Sequence, residues 1–157
     1  ESVGGGGFHH DGAKGDSGRS GLKRYAMTFR RTFSGAPWEE AVGYCRALRA
    51  GNVIYVTGTA PVDPDGSVHA PGDGYPQTVR CLEIIRGALE SLGASLHDVV
   101  RTRMFVTDIS RWEEYGQGHR EAFGDHPPAT TLVEVGSLIH PDMLIEIEAE
   151  AVVTEGA

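Results

Sequence analysis

Apolar and polar positions change period several times along this chain, and each change marks an element. Thr28–Phe33 alternates at the two-residue period of a strand. Two short apolar runs, Tyr44–Arg49 and Val53–Thr57, flank Ala50-Gly51-Asn52 and predict a hairpin. Between Pro76 and Leu92 the period becomes helical, with Val79, Leu82, Ile85, Leu89 and Leu92 on one stripe, Pro76 near the start and Gly93 just past the end. A short turn over Ser95–Asp98 leads to a strand, Val99–Thr107, in which Val100, Thr102, Met104 and Val106 face one way and Arg101, Arg103 and Phe105 the other. Ser110 and Glu113 have the spacing of a capping box, which predicts a second helix, Arg111–Phe123, with Trp112, Tyr115, His119 and Phe123 on one face and Gly124 at its end. Two strands close the pattern, Thr130–Val135 and Met143–Val153, with turn residues from Gly136 to Asp142 between them.

The order hairpin, helix, strand, helix, two strands is an α+β pattern. It predicts one mixed sheet with two helices covering one face. The other face keeps Ile, Val, Leu and Phe side chains and a few charges, so a homo-oligomer that buries it is expected. The 157 residues fit a single domain over residues 28–157, after a Gly-rich leader over residues 1–27 that has no periodicity. No apolar run reaches the roughly 18 residues of a membrane span, and a cytoplasmic protein with no membrane partner is expected. The net charge of −8 disfavours nucleic acid as a partner, because binding phosphates takes clustered Lys and Arg. Cys45 and Cys81 are too few for a disulfide framework or a zinc site, and adjacent His9 and His10 have no third ligand nearby. Neither a metal nor a cofactor is expected.

Candidate chemistry concentrates in the last strand. Ile145, Ile147, Ala149 and Ala151 share one face, and Glu146, Glu148 and Glu150 share the other. The three carboxylates are either the solvated side of an antiparallel sheet or include one that lines a pocket. Gly58, at a strand end before the long Pro61–Gly74 loop, either serves the turn or lets backbone approach a ligand.

Four blocks, AVGYCRALRAGNVIYVTGTAPVDPDG, SLGASLHDVV, RTRMFVTDI and PATTLVEVGSLIHPDMLIEIEAEAV, resemble the RidA/YjgF family in one unbroken order from about Thr32 to Val153. The resemblance implies a chorismate-mutase-like protomer, a homotrimer, and small-molecule pockets at the subunit interfaces. It further implies hydrolysis of 2-imino acids to 2-keto acids and ammonia. Carried over residue by residue, it places Tyr44, Gly58, Glu146 and Gln117 in the pocket, with Glu146 positioning water. Where deaminating members read Pro-Ala-Arg-Ser-Cys, this chain reads Pro128-Ala129-Thr130-Thr131-Leu132. Thr130 has neither the charge nor the fork of the arginine that would hold a substrate carboxylate. Arg46 or Arg103 could supply that cation, or the substrate could lack a carboxylate.

Two functions follow. One is a divergent hydrolase or deaminase of a small imine, enamine or related C=N or amide compound, with Glu146, Tyr44 and Thr130 as catalytic candidates and Gly58, Gln117, Arg103, Arg46 and Leu132 contacting substrate. The other is a trimer that only binds a small molecule or regulates a partner.

Overall fold

The computed structural model describes residues 27–155, so the expected leader lies almost wholly outside the described residues. Six strands form one sheet: β1 (Phe29–Thr32), β2 (Ala47–Ala50), β3 (Val53–Thr59), β4 (Val99–Val106), β5 (Ala129–Glu134) and β6 (Ile145–Val152). The helices are α1 (Pro37–Val42), α2 (Gly74–Ser91) and α3 (Trp112–Phe123). The sheet order is β1-β2-β3-β6-β4-β5, and only β4 and β5 run parallel. The expected α+β architecture with a mixed sheet is therefore present. β5 and β6, adjacent in sequence, are not neighbours in the sheet: β4 lies between them. The loop from Gly136 to Asp142 thus carries the chain across β4 instead of closing a hairpin.

α2 lays Cys81, Leu82, Ile85 and Leu89 against Ile54, Val56, Ile145 and Ile147, all buried. Its pairing with α3 is close because Gly118 gives no side chain to the interface. A Cβ there would stand 2.9 Å from Thr78 Cγ2. Arg30 and Arg49 donate to the carbonyl of Leu92 at 3.1 and 2.7 Å, placing two cations at the end of α2 where unpaired carbonyls carry partial negative charge.

Three local expectations are corrected. A β-bulge between Val99 and Arg101 gives the inward place to Val99 and leaves Val100 exposed; Thr102, Met104 and Val106 stay inward. The start of α3 has no Ser110–Glu113 capping box. Asp108 instead accepts from Ser110 N and Oγ and caps a 3-10 turn over Ile109–Arg111, while a capping box is found at Ser95–Asp98. On α3, Tyr115 and Phe123 are buried but Trp112 is exposed, because the helix begins at that residue.

The uncovered sheet face is more charged than expected. β4–β6 pairing sets Arg101 beside Glu150, Arg103 beside Glu148 and Phe105 beside Glu146, and β3 adds Tyr55 beside Glu150. Arg103 bridges Glu148 and Glu150 at 3.5 and 3.0 Å.

Candidate active site

β6 fixes the position of Glu146. Ile145 and Ile147 are fully buried against the helices, so the residue between them must face away. Gln77, buried on α2, holds the approach to this strand: its Nε2 donates to Ala70 O and Asp142 O, and its Oε1 accepts from Leu144 N at 2.8 Å. The Glu146 side chain then reaches the irregularity in β3 between Val56 and Thr59 and settles over Gly58. A Cβ built on Gly58 would collide with Glu146 Oε1 and stand 3.1 Å from Cδ.

The Glu146 carboxylate is partly buried and has no hydrogen-bond partner among the described residues. Burial first, then the neighbouring Glu148, push its pKa above the ordinary carboxylate range, and Arg46 only partly offsets them. Cys81 lies under the same influence. Burial and the Glu146 charge drive its thiol far above the usual range, so it stays protonated and unreactive, in keeping with a packing role.

Arg46 is the buried cation of this region, 8 % exposed. Its Nη1 donates to Gly58 O at 3.0 Å and to Thr59 Oγ1 at 3.3 Å, and its Nε to Glu39 Oε1 at 3.4 Å. Glu39 comes from α1, an element the sequence pattern did not reveal, since six residues are too few to display a helical period. Burial alone would raise the Glu39 pKa, but bonds from the Ser34 hydroxyl and N–H, from Gly35 N–H and the Arg46 charge together hold it below the ordinary value. The only sequence signal for this residue is Pro37 opening a helix, with acids following in its first turn. Tyr44 completes the group: Arg46 Cζ lies 5.8 Å from its ring centroid, within cation–π range. Tyr44 also lines a cavity of about 410 Å3 with Phe33, Glu40, Cys45 and Thr57.

Tyr44, Arg46, Gly58 and Glu146 are thus brought together within one chain. The other candidates stand elsewhere. Arg103 shares the face of Glu146 but is committed to Glu148 and Glu150. Thr130 and Leu132 pair with Thr102 and Met104, which places them on the opposite, helix-covered side. Thr130 Oγ1 lies 2.8 Å from Thr102 Oγ1 and 3.4 Å from His119 Nε2, and His119 Nε2 lies 2.8 Å from Thr102 Oγ1. Burial lowers the His119 pKa, so the ring facing these hydroxyls is neutral. Gln117 is exposed on α3 and donates to Glu121 Oε1. Within one chain neither Gln117 nor Thr130 approaches Glu146.

The family model described as endoribonuclease L-PSP matches residues 35–153. A RutC family protein of Pyrococcus abyssi is 40 % identical over 108 residues, 69 % of this chain and 84 % of that protein. A 3-aminoacrylate deaminase RutC of Acinetobacter baylyi is 38 % identical over 108 residues, 69 % of this chain and 85 % of that protein. The crystal structure of a YjgF/YER057c/UK114 family member from Mycobacterium tuberculosis superposes with a TM-score of 0.73 at 46 % identity, over 80 % of this chain and all of that one. With a family model spanning the domain and relatives of this identity along nearly their whole length, the chain belongs to the RidA/YjgF family.

Proposed function

We propose that this protein hydrolyses small imines, or enamines after tautomerisation, that carry no carboxylate, using Glu146 as its proton-transfer group in a pocket completed at the interfaces of a homotrimer. The observation that carries the reading is the state of Glu146: a carboxylate partly withdrawn from water, unpaired, and raised in proton affinity. A raised proton affinity moves a carboxylate toward what a general base needs near neutral pH. A relative named as a 3-aminoacrylate deaminase supports the reaction class alone: that substrate is an enamine, and it differs from the class proposed here in carrying a carboxylate.

In the reaction Glu146 takes a proton from water as the oxygen attacks the C=N carbon. A C–O bond forms, and the π electrons go to nitrogen. The carboxylic acid returns the proton to the nitrogen, which gives a carbinolamine; Glu146 then takes the hydroxyl proton of that intermediate and delivers it to the nitrogen as the C–N bond breaks, so the carbonyl forms and the amine or ammonia leaves. Arg46 holds the Gly58 carbonyl from behind, which keeps the strand bulge in the shape that seats the carboxylate.

The way the nearby cations are engaged supports the substrate class. Arg46 is spent on Glu39, Gly58 and Thr59, Arg103 on two glutamates, and Thr130 on neutral Thr102 and His119. Arg46 and Arg103 are already paired with carboxylates and Thr130 carries no charge, which disfavours an anionic substrate; a lost charge-assisted bond is worth roughly 1.5–3 kcal/mol, or about tenfold to more than a hundredfold in rate. The test compares 2-iminopropanoate, generated in place by an amino-acid oxidase, with an uncharged imine of similar size. Turnover of the uncharged imine, lost in Glu146→Gln, is expected. A faster rate on 2-iminopropanoate would overturn the substrate class, and Glu146→Gln at full rate would overturn the mechanism.

A further inference from the structure

His97, Asp125 and His126 come together on the surface, although the first lies far from the others in sequence. One donor atom from each falls within 4.8 Å of the other two. The cluster is separate from Glu146 and plays no part in the reaction above.

Two turns bring these residues together. His97 sits in the 3-10 turn Leu96–Asp98, closed by the Ser95–Asp98 capping box. Asp125 and His126 follow α3, where His126 N donates to Phe123 O at 3.0 Å and the buried Phe123 ring packs edge-on against the His126 ring at 5.8 Å. His126 Nε2 lies 3.1 Å from Leu96 O. A carbonyl can only accept, so Nε2 carries the hydrogen in this contact, and Nδ1 is the ring atom turned toward Asp125. Nδ1 faces Asp125 Oδ1. A proton on Nδ1 or a metal ion shared by the two atoms would each hold them together.

The remaining donor stands nearby. His97 stacks on His126 at 4.0 Å between centroids, and its Nε2 lies 3.8 Å from Asp125 Oδ2. Two ligands of a tetrahedral zinc ion at about 2.1 Å each stand about 3.4 Å apart, so His97 and Asp125 need to close slightly while the directly bonded His126 and Asp125 atoms need to open. The means to do so is present: the His97 and Asp125 side chains are 72 % and 77 % exposed and can turn, while His126, 18 % exposed, is the fixed anchor. A ligating imidazole whose other N–H is held by a backbone carbonyl is the usual outer-sphere arrangement of a metal-bound histidine.

We propose that His97, Asp125 and His126 bind one divalent transition ion of the zinc, nickel or copper class, with solvent at the remaining position, and so pin the turn before β4 to the end of α3. Two imidazoles and one carboxylate suit these ions over magnesium or calcium, which prefer all-oxygen shells.

The experiment titrates Zn2+ into the full chain by calorimetry and Co2+ by visible absorption, with magnesium as the control. One saturable Zn2+ equivalent per chain is expected, together with a Co2+ ligand-field band and a rise in thermal stability. His97→Ala and Asp125→Asn, both at exposed side chains, are each expected to weaken Zn2+ binding by at least about tenfold. A His9→Ala/His10→Ala double variant is expected to bind as the parent does, and so is Glu146→Gln. The proposal is overturned if Zn2+ shows no saturable binding, or if binding survives His97→Ala and Asp125→Asn but disappears with the His9 and His10 substitutions.

Discussion

The carboxylate of Glu146 occupies the space that a side chain on Gly58 would need. Gly58 does not have the positive φ that would itself demand glycine, so the obstacle to alanine there is the glutamate. Because the clash falls on the far end of a flexible side chain, Gly58→Ala is relieved by swinging the carboxylate away. Stability is expected to change by less than about 1 kcal/mol in urea unfolding, while kcat/KM on an accepted imine falls by about tenfold or more. In a Glu146→Ala background the same substitution has nothing left to displace. The two changes are therefore expected to be strongly non-additive in activity and nearly additive in stability.

Glu39 and Arg46 form a buried ion pair in which each partner is the other's compensation. Glu39→Ala leaves Arg46 with its carbonyl and hydroxyl acceptors but no counter-charge, and loses the bonds from Ser34 and Gly35. A loss of about 3–5 kcal/mol in chemical unfolding is expected. The folded pKa of Glu39 lies below its ordinary 4.5. Its stabilisation is thus complete above about pH 4.5 and disappears as pH falls through the lower folded value. An acid-unfolding midpoint moved upward by Glu39→Gln would show this; an unmoved midpoint would place the acid sensitivity elsewhere.

Val133 is 41 % exposed on edge strand β5, on the same face as Phe105, Glu146 and half-exposed Tyr55. An uncovered face that mixes aromatic side chains with internally paired charges suits burial against other copies of the chain. Light scattering is expected to return a three-chain mass, and Val133→Lys to reduce it by placing an unpaired cation in the contact. A monomer mass for the parent chain would remove the basis for an interfacial pocket.

His119 sits between Thr102, Thr130 and the Phe123 ring, whose centroid is 4.7 Å away, and no acid among the described residues pairs with it. Burial depresses its pKa below 6.5, so folding favours the neutral ring. Its contribution is complete above about pH 6.5 and is lost as pH falls through the folded value. The thermal midpoint is expected to drop on acidification in this window, and His119→Phe to flatten that drop. An unchanged slope in His119→Phe would assign the proton uptake to another group.

Alternation alone placed Ile145 and Ile147 in the core and Glu146 on the open face, because one strand cannot slip by a residue without exposing both isoleucines. The same reasoning failed at Val100, where a bulge offsets the alternation, and the order of β5 and β6 was illegible because crossing over β4 is a non-local choice. Of the site, Gly58 and Glu146 were legible as residue types in a family pattern. The burial of Arg46 was not. It depends on Glu39 from a helix of six residues and on bonds to Gly58 and Thr59, none of which leaves a period in the sequence.

Glu146 is where stability and activity are expected to oppose one another. Its folded pKa is raised, so the protonated form is the one folding favours. A group of this kind adds stability that is complete below its unfolded value of about 4.5 and is lost as pH rises through the folded value. At neutral pH the chain therefore carries a partly desolvated charge with no bonded partner. Glu146→Gln removes that charge at nearly constant shape, and a gain on the order of 0.5–2 kcal/mol in urea unfolding at neutral pH is expected, shrinking toward zero below about pH 4.5. The same variant is expected to lose turnover by at least about a hundredfold, since glutamine cannot accept a proton from water. Equal stability of parent and variant across the whole pH range would mean that the carboxylate is fully solvated, and Glu146 would then lack the raised proton affinity assigned to it.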